Sequence, residues 1–256
     1  MKFIRSSLAL LLLLAVSQFV SQLAFAEDSD SKLRATLQKH MNPNAVITSI
    51  QRGPAGLWEV VVNGDIFYTD EEGTLLISNA HIIDLKNRRD LTQERLAEIQ
   101  RVDFDSLPLD LAIKLVKGDG KRRFAVFADP KCGYCRQLES TMANVNNVTV
   151  YLFLLPILSP ESEELSRKVW CAPNQGLAWA DLLIKGISPV QQKAQCALAP
   201  MEQIKQFSQS VGISATPTLI MADGARQAGA LPLDALEAFI DRHDVAKVSP
   251  PPATAN

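Results

Sequence analysis

The stretch Phe124-Ala125-Val126-Phe127-Ala128-Asp129-Pro130-Lys131-Cys132-Gly133-Tyr134-Cys135 decides the fold of this chain. The apolar run from Phe124 to Ala128 reads as a buried strand, and two cysteines in a Cys-x-x-Cys spacing follow it at the start of a helix. A cysteine at a helix N-terminus meets free backbone N–H groups and the positive end of the helix dipole, which favour the thiolate, the attacking form of sulfur. The second cysteine sits one turn further in, within reach of the first, so it can close an internal disulfide or resolve a mixed disulfide with a substrate. Cys132 is therefore the candidate nucleophile, expected to be ionised and exposed, and Cys135 the candidate resolving thiol. Gly133 and Tyr134 set the local geometry and tune the pair.

Competing chemistries for this motif fit less well. Structural zinc draws on two closely spaced cysteine pairs, whereas Cys171 and Cys196 have 24 residues between them. Haem attachment needs a histidine after the second cysteine, and residue 136 is arginine. A papain-like nucleophile calls for a small residue where Tyr134 stands and for a histidine far downstream, but the one later histidine is His243, 108 residues after Cys135. A purely structural Cys132-Cys135 bridge closes so short a loop that it stabilises little. Neither a metal nor a cofactor is expected.

Downstream of the motif the pattern continues with a helix and an apolar run, Val148 to Leu155, that reads as a fully buried central strand. About fifty mostly helical residues follow. Ser159-Pro160 and Ser188-Pro189 both look like helix starts, and Gly212 closes a helix near Val211. The chain then gives a strand from Thr218 to Met221, a turn at Asp223-Gly224, a short strand near Arg226 and a helix from Leu233 to His243. Upstream, Leu111 to Val116 is a strand that leads into the turn Lys117-Gly118-Asp119-Gly120. Together these elements make a thioredoxin-like layout with a helical insertion, assigned to residues 110–245, and the proline-rich end at 246–256 reads as a disordered tail.

The first residues are an address. Lys2 and Arg5 precede the apolar run Leu8 to Val16, and Ala24-Phe25-Ala26 offers a cleavage site before Glu27-Asp28, so 1–26 reads as a secretory signal peptide rather than a membrane anchor. Processing leaves 230 residues and moves the formal charge from −2 to −4. Residues 27–88 then form a small body. Leu33, Leu37 and Met41 recur on a helix, and Trp58 to Val62 and Asp65 to Thr69 are strands around Asn63-Gly64, the two-residue type I′ hairpin signal. Thr74 to Ser78 is a third extended run. So small a core needs a partner. Asp90 caps a sparsely apolar helix from Leu91 to about Val102, within a linker at 89–109. The overall class is α+β.

Export changes how cysteines are read, because thiols outside the cytosol persist as disulfides unless something reduces them. Cys171 and Cys196 lack the helix-start context of a reactive thiol, and a bridge between them would close about 25 residues and contribute roughly 3 kcal/mol. A second redox relay is the other reading of this pair. Thr216-Pro217 places proline inside a strand-like run, Ile213 to Met221, which requires an edge or a special bend. A cis X-Pro bond is one such bend, and a loop of that kind facing the cysteines would offer backbone groups to an extended substrate. With 47% apolar residues, 21% charged residues and a sequence pI near 6.0, the chain folds and carries no field that would attract nucleic acid. Lys121-Arg122-Arg123 reads as a solvated turn, Trp58 and Trp170 as core, and His40, His81 and His243 receive no chemistry.

At Phe127 to Cys135, Val169-Trp170-Cys171 and Ala215-Thr216-Pro217 the chain resembles the periplasmic DsbC/DsbG family of protein disulfide isomerases, with the Cys-Gly-Tyr-Cys form of the DsbC branch. The resemblance spans nearly all of the processed chain. It implies a homodimer joined through the N-terminal domains, a thioredoxin-fold catalytic domain, a cis bond before Pro217 and a structural Cys171-Cys196 disulfide. It also implies a periplasmic location, misfolded disulfide-containing exported proteins as substrates, and a membrane reductant of the DsbD type that keeps Cys132 and Cys135 reduced. One position departs from thioredoxin itself, which buries an acid six residues before its first active cysteine, where this chain has Val126. The expected activity is disulfide isomerisation and reduction with chaperone activity beside it. Net dithiol oxidation, or a holdase with an incidental redox site, are the alternatives.

Overall fold

The computed structural model describes residues 30–190, 196 and 200–244. The signal peptide at 1–26, the tail at 246–256 and most of the helix expected after Ser188-Pro189 lie outside them. The chain divides into two compact units, Met1–Leu96 and Ala97–Asn256.

In the first unit, helix α1 (30–40) buries Leu33 and Leu37 against a four-stranded antiparallel sheet in the order β1-β2-β3-β4. Its strands are β1 (Ile47–Arg52), β2 (Trp58–Val62), β3 (Asp65–Thr69) and β4 (Leu76–Ile77). Asn63 and Gly64 join β2 to β3 with φ of 52° and 88°, the doubly positive geometry that the dipeptide predicts. Strand β1 was not legible in the sequence, because its six residues include Thr48, Ser49, Gln51 and Arg52 and do not alternate. The third extended run is shorter than expected. The Asp70 carboxylate accepts from the N–H groups of Thr74 (2.7 Å) and Leu75 (3.0 Å), so the ladder begins only at Leu76.

A further small hairpin pairs β5 (Ile83–Asp84) with β6 (Arg89–Asp90), and α2 (Leu91–Ile99) follows. Within the first unit the N-terminal turn of α2 is anchored by Thr92, whose hydroxyl contacts Tyr68 Oη at 2.8 Å, and by Arg95, which reaches buried Glu59 at 3.0 Å. The helix stops short of Val102, contrary to expectation. In the second unit the Val102 N–H donates to the Gly224 carbonyl at 3.0 Å, and Gly224, at φ +89°, brings its backbone so close that a Cβ would lie 2.8 Å from Val102 O.

The second unit holds a five-stranded sheet in the order β11-β10-β8-β9-β7. These are β7 (Ile113–Lys117), β8 (Arg122–Ala128), β9 (Val148–Leu154), β10 (Thr218–Met221) and β11 (Arg226–Ala228). β8 and β9 run parallel, and the other pairings are antiparallel. Because side chains alternate along a strand, the apolar runs feed two cores. Phe124, Val126 and Ala128 face one cluster with α3 (Gly133–Met142) and α7 (Leu233–Arg242), while Ala125 and Phe127 face another with Phe153 and Ile204. Between β9 and β10 lie α4 (Pro160–Trp170), α5 (Gln175–Ala180), a π-helical turn (Asp181–Lys185) and α6 (Met201–Ser210).

Ser159 caps α4 with Pro160 at its first position, as the dipeptide predicts. β7 begins at Ile113, not Leu111, since Leu109–Leu111 form a 3-10 turn after Pro108. Arg122 is no solvated turn residue. It opens β8, and its guanidinium pairs with Glu237 and, at 3.1 Å, with Asp241. Trp58 is buried and Trp170 packs at the edge of a core, as expected.

Candidate active site

β8 ends at Ala128 in the middle of the sheet, and the next residues turn directly into α3 with Cys132 as its N-cap. The Cys135 N–H points at Cys132 Sγ from 3.4 Å. Cys132 Sγ also donates to the carbonyl of Thr216 at 3.1 Å, and the Thr216-Pro217 peptide is cis. The structure thus brings together Cys132, Cys135, Thr216 and Pro217, residues as much as 85 positions apart in the chain. Both active-motif cysteines are free thiols. Gly133 and Tyr134 face outward, Tyr134 with 67% of its surface exposed, and a Cβ on Gly133 would meet open space.

Cys132 is less open than the sequence implies. It is 8% exposed, because the Thr216 loop lies against its sulfur. Cys135 is 2% exposed, and burial pushes its thiol far above the ordinary thiol range, with the adjacent Cys132 sulfur acting in the same direction. Cys135 therefore holds its proton in the resting site.

Asp129 is a residue to which sequence reasoning gave no role. It is fully buried, and its carboxylate accepts from the N–H of Lys131 (2.7 Å), the N–H of Ile157 (2.9 Å), the N–H of Leu158 (3.0 Å) and the hydroxyl of Ser162 (2.8 Å). Those bonds tie the cysteine loop to the entry of α4. The signal was present in Asp129-Pro130, a turn-forming pair beside the motif, but nothing local revealed the distant donors.

Cys171, at the end of α4, is joined to Cys196 by a disulfide with Cα atoms 5.6 Å apart. No group of three or more potential metal ligands occurs among the described residues.

Two family profiles match the chain. Residues 109–243 match the thioredoxin-like domain, and residues 24–93 match the disulfide bond isomerase protein N-terminal domain. Over 192 residues the chain is 45% identical to the probable thiol:disulfide interchange protein DsbC of Bordetella parapertussis, covering 75% of this chain and 67% of that protein. This chain belongs to the DsbC family. The DsbC of Escherichia coli K12 is 25% identical over 232 residues, which cover 86% of this chain and 90% of that one. A crystal structure of a disulfide interchange protein from Neisseria gonorrhoeae aligns with a TM-score of 0.51 at 36% identity, covering 54% of this chain and 99% of the other. As a DsbC-family protein the chain is a thiol-disulfide oxidoreductase with protein disulfide isomerase activity.

Proposed function

We propose that Cys132 carries this activity as the nucleophile on wrong disulfides in exported proteins. The Cys132 thiolate attacks one sulfur of the substrate, so that the substrate S–S bond breaks, a Cys132-substrate bond forms and the displaced sulfur leaves as a thiolate. Two exits follow. A substrate thiolate attacks the sulfur held by Cys132 and releases a rearranged disulfide, or Cys135 attacks Cys132 Sγ and releases a reduced substrate with a Cys132-Cys135 disulfide left behind. A membrane reductant of the DsbD type then returns two electrons and two protons to the pair.

The observation that carries this reading is Cys132 Sγ at the N-cap of α3, contacted by the Cys135 N–H on one side and the Thr216 carbonyl on the other. Thr216 and Pro217 offer the backbone edge against which an extended substrate pairs. Tyr134, Leu158 and Ile157 expose apolar surface around it, suited to unfolded chains and to chaperone activity. Periplasmic location is supported by the signal peptide reading and by the Cys171-Cys196 disulfide, which requires an oxidising compartment.

The homodimer is supported by edge strand β4, where Leu76 and Ile77 are exposed, as is Leu75 just before it. Refolding of a scrambled multi-disulfide substrate tests the assignment of the nucleophile. Cys132→Ala is expected to abolish isomerisation, and retained turnover would overturn the assignment. The pair is expected to be mostly reduced in cells, whereas a mostly oxidised pair would make the protein a net oxidase.

A further inference from the structure

Attack by Cys135 requires its proton to go somewhere, and neither Thr216 nor Pro217 beside the sulfurs is a base that could take it. Behind the motif lies a cavity of about 50 Å³ lined by Cys135, Val126, Met142, Trp179, Lys117 and Glu139 among others. Roughly 10–15 Å³ admits one water, so this space has room for a few, with Glu139, Lys117 and the Trp179 indole as its polar lining. Val126 brings no titratable group. Glu139 stands one helical turn beyond Cys135 on α3, on the same face, and is the one carboxylate lining the cavity.

Glu139 is held in place by Trp179 of α5, whose indole N–H donates to its Oε2 at 2.9 Å. It is half-buried whereas Cys135 is sealed, so Glu139 connects the cavity to the protein surface.

We propose that Glu139 accepts the Cys135 proton, through water in this cavity, as Cys135 attacks the mixed disulfide. The inference rests on the assignment of Cys132 and Cys135 as the reacting pair. In the step, the Cys135-Cys132 S–S bond forms and the Cys132-substrate bond breaks. The electron pair of that bond leaves on the substrate sulfur, and the proton moves from Cys135 by way of water to the Glu139 carboxylate. The active-site pair is oxidised by two electrons and the substrate disulfide is reduced by two. When the DsbD-type reductant later opens the Cys132-Cys135 disulfide, the same carboxylic acid returns the proton to Cys135.

The surroundings set Glu139 for this role. Burial raises its carboxyl above the ordinary carboxylate range, while the Trp179 N–H and the Lys117 ammonium pull the other way. Lys117, from β7, is the other charged side chain lining the cavity, and its Nζ donates to the Met142 carbonyl at 2.6 Å. β8 and β9 present apolar side chains there. The π-helical turn packed on α3 keeps its charges to itself, with Lys185 and Asp181 paired at 2.7 Å. A raised carboxyl acid is a better match to a thiol proton than an ordinary surface glutamate is.

The test uses the full processed chain in single turnover. The reduced protein is mixed with a disulfide-linked reporter peptide, and release of the peptide by Cys135 is followed from about pH 5 to about pH 9, alongside Trp179 fluorescence. Release is expected to rise with pH through the same midpoint at which Trp179 emission reports Glu139 ionisation, with Trp179→Phe identifying that signal. Glu139→Gln is expected to slow release about a hundredfold near neutral pH and to remove the break, and Glu139→Asp to restore most of both. Wild-type release and profile in Glu139→Gln would overturn the inference. If that variant does not fold, wild-type midpoints that disagree overturn it instead. Failure to form any Cys132 adduct in the first mixing step would sink the assignment of the nucleophile, a result distinct from adduct formation with release indifferent to Glu139.

Discussion

Asp129 is fully buried, yet its bonds fix the loop that carries Cys132, the proposed nucleophile. Its carboxylate satisfies three backbone N–H groups and one hydroxyl, in a place from which water is excluded. Removing an acceptor from buried donors costs about 1–3 kcal/mol per group left unpaired, and more where the acceptor is charged. Asp129→Ala is therefore expected to destabilise the protein by about 3 kcal/mol in urea unfolding, with Asp129→Asn between it and the wild type because one acceptor oxygen remains. A loss below about 0.5 kcal/mol would mean that water replaces the carboxylate at Ile157 and Leu158. The contrast between the two cysteines belongs to this scale too. Both border the same core, but Cys132 caps the start of α3 whereas Cys135, one turn in, is sealed more deeply and keeps its proton.

At the level of elements, β8 and α3 do most to build the site, and both were legible. A strand buried on both faces leaves an uninterrupted apolar run, and a helix that opens on Cys-x-x-Cys leaves a spacing. The elements that escaped were held by distant partners. β1 is carried by its pairing with β2, β4 is cut short by the Asp70 carboxylate, and α2 stops at Ile99, before Val102 pairs with Gly224. The insertion that follows β9 carries the Cys171-Cys196 bridge, which spans 25 positions. Replacing both of those cysteines with alanine is expected to lower stability by about 3 kcal/mol without changing the rate at which Cys132 forms its adduct. Urea unfolding and single-turnover kinetics check the two halves of that statement. A slowed adduct would instead make the bridge part of the redox path.

For the whole molecule, thiol-disulfide isomerisation asks that a substrate stay bound while its disulfides are exchanged, and a second copy of the site supplies more binding surface. The processed full chain is expected to show twice its chain mass in light scattering. Leu76→Lys combined with Ile77→Lys, which places charge on the exposed edge strand, is expected to yield the single-chain mass and to impair isomerisation more than reduction of a small disulfide. An unchanged mass would move the dimer contact away from β4.

By itself the sequence determined the α+β class, the type I′ turn and the buried strand that leads into a Cys-x-x-Cys helix, because each of these is written in neighbouring residues. Strand burial, turn conformation and helix capping act over a few positions, so their signals are local. Only tertiary structure decided that Thr216 lies against Cys132, that Asp129 gathers donors from the entry to α4, and that Glu139 shares a cavity with Cys135. Those placements depend on which segments the sheet brings side by side, and close packing over such distances leaves no periodic trace in the chain.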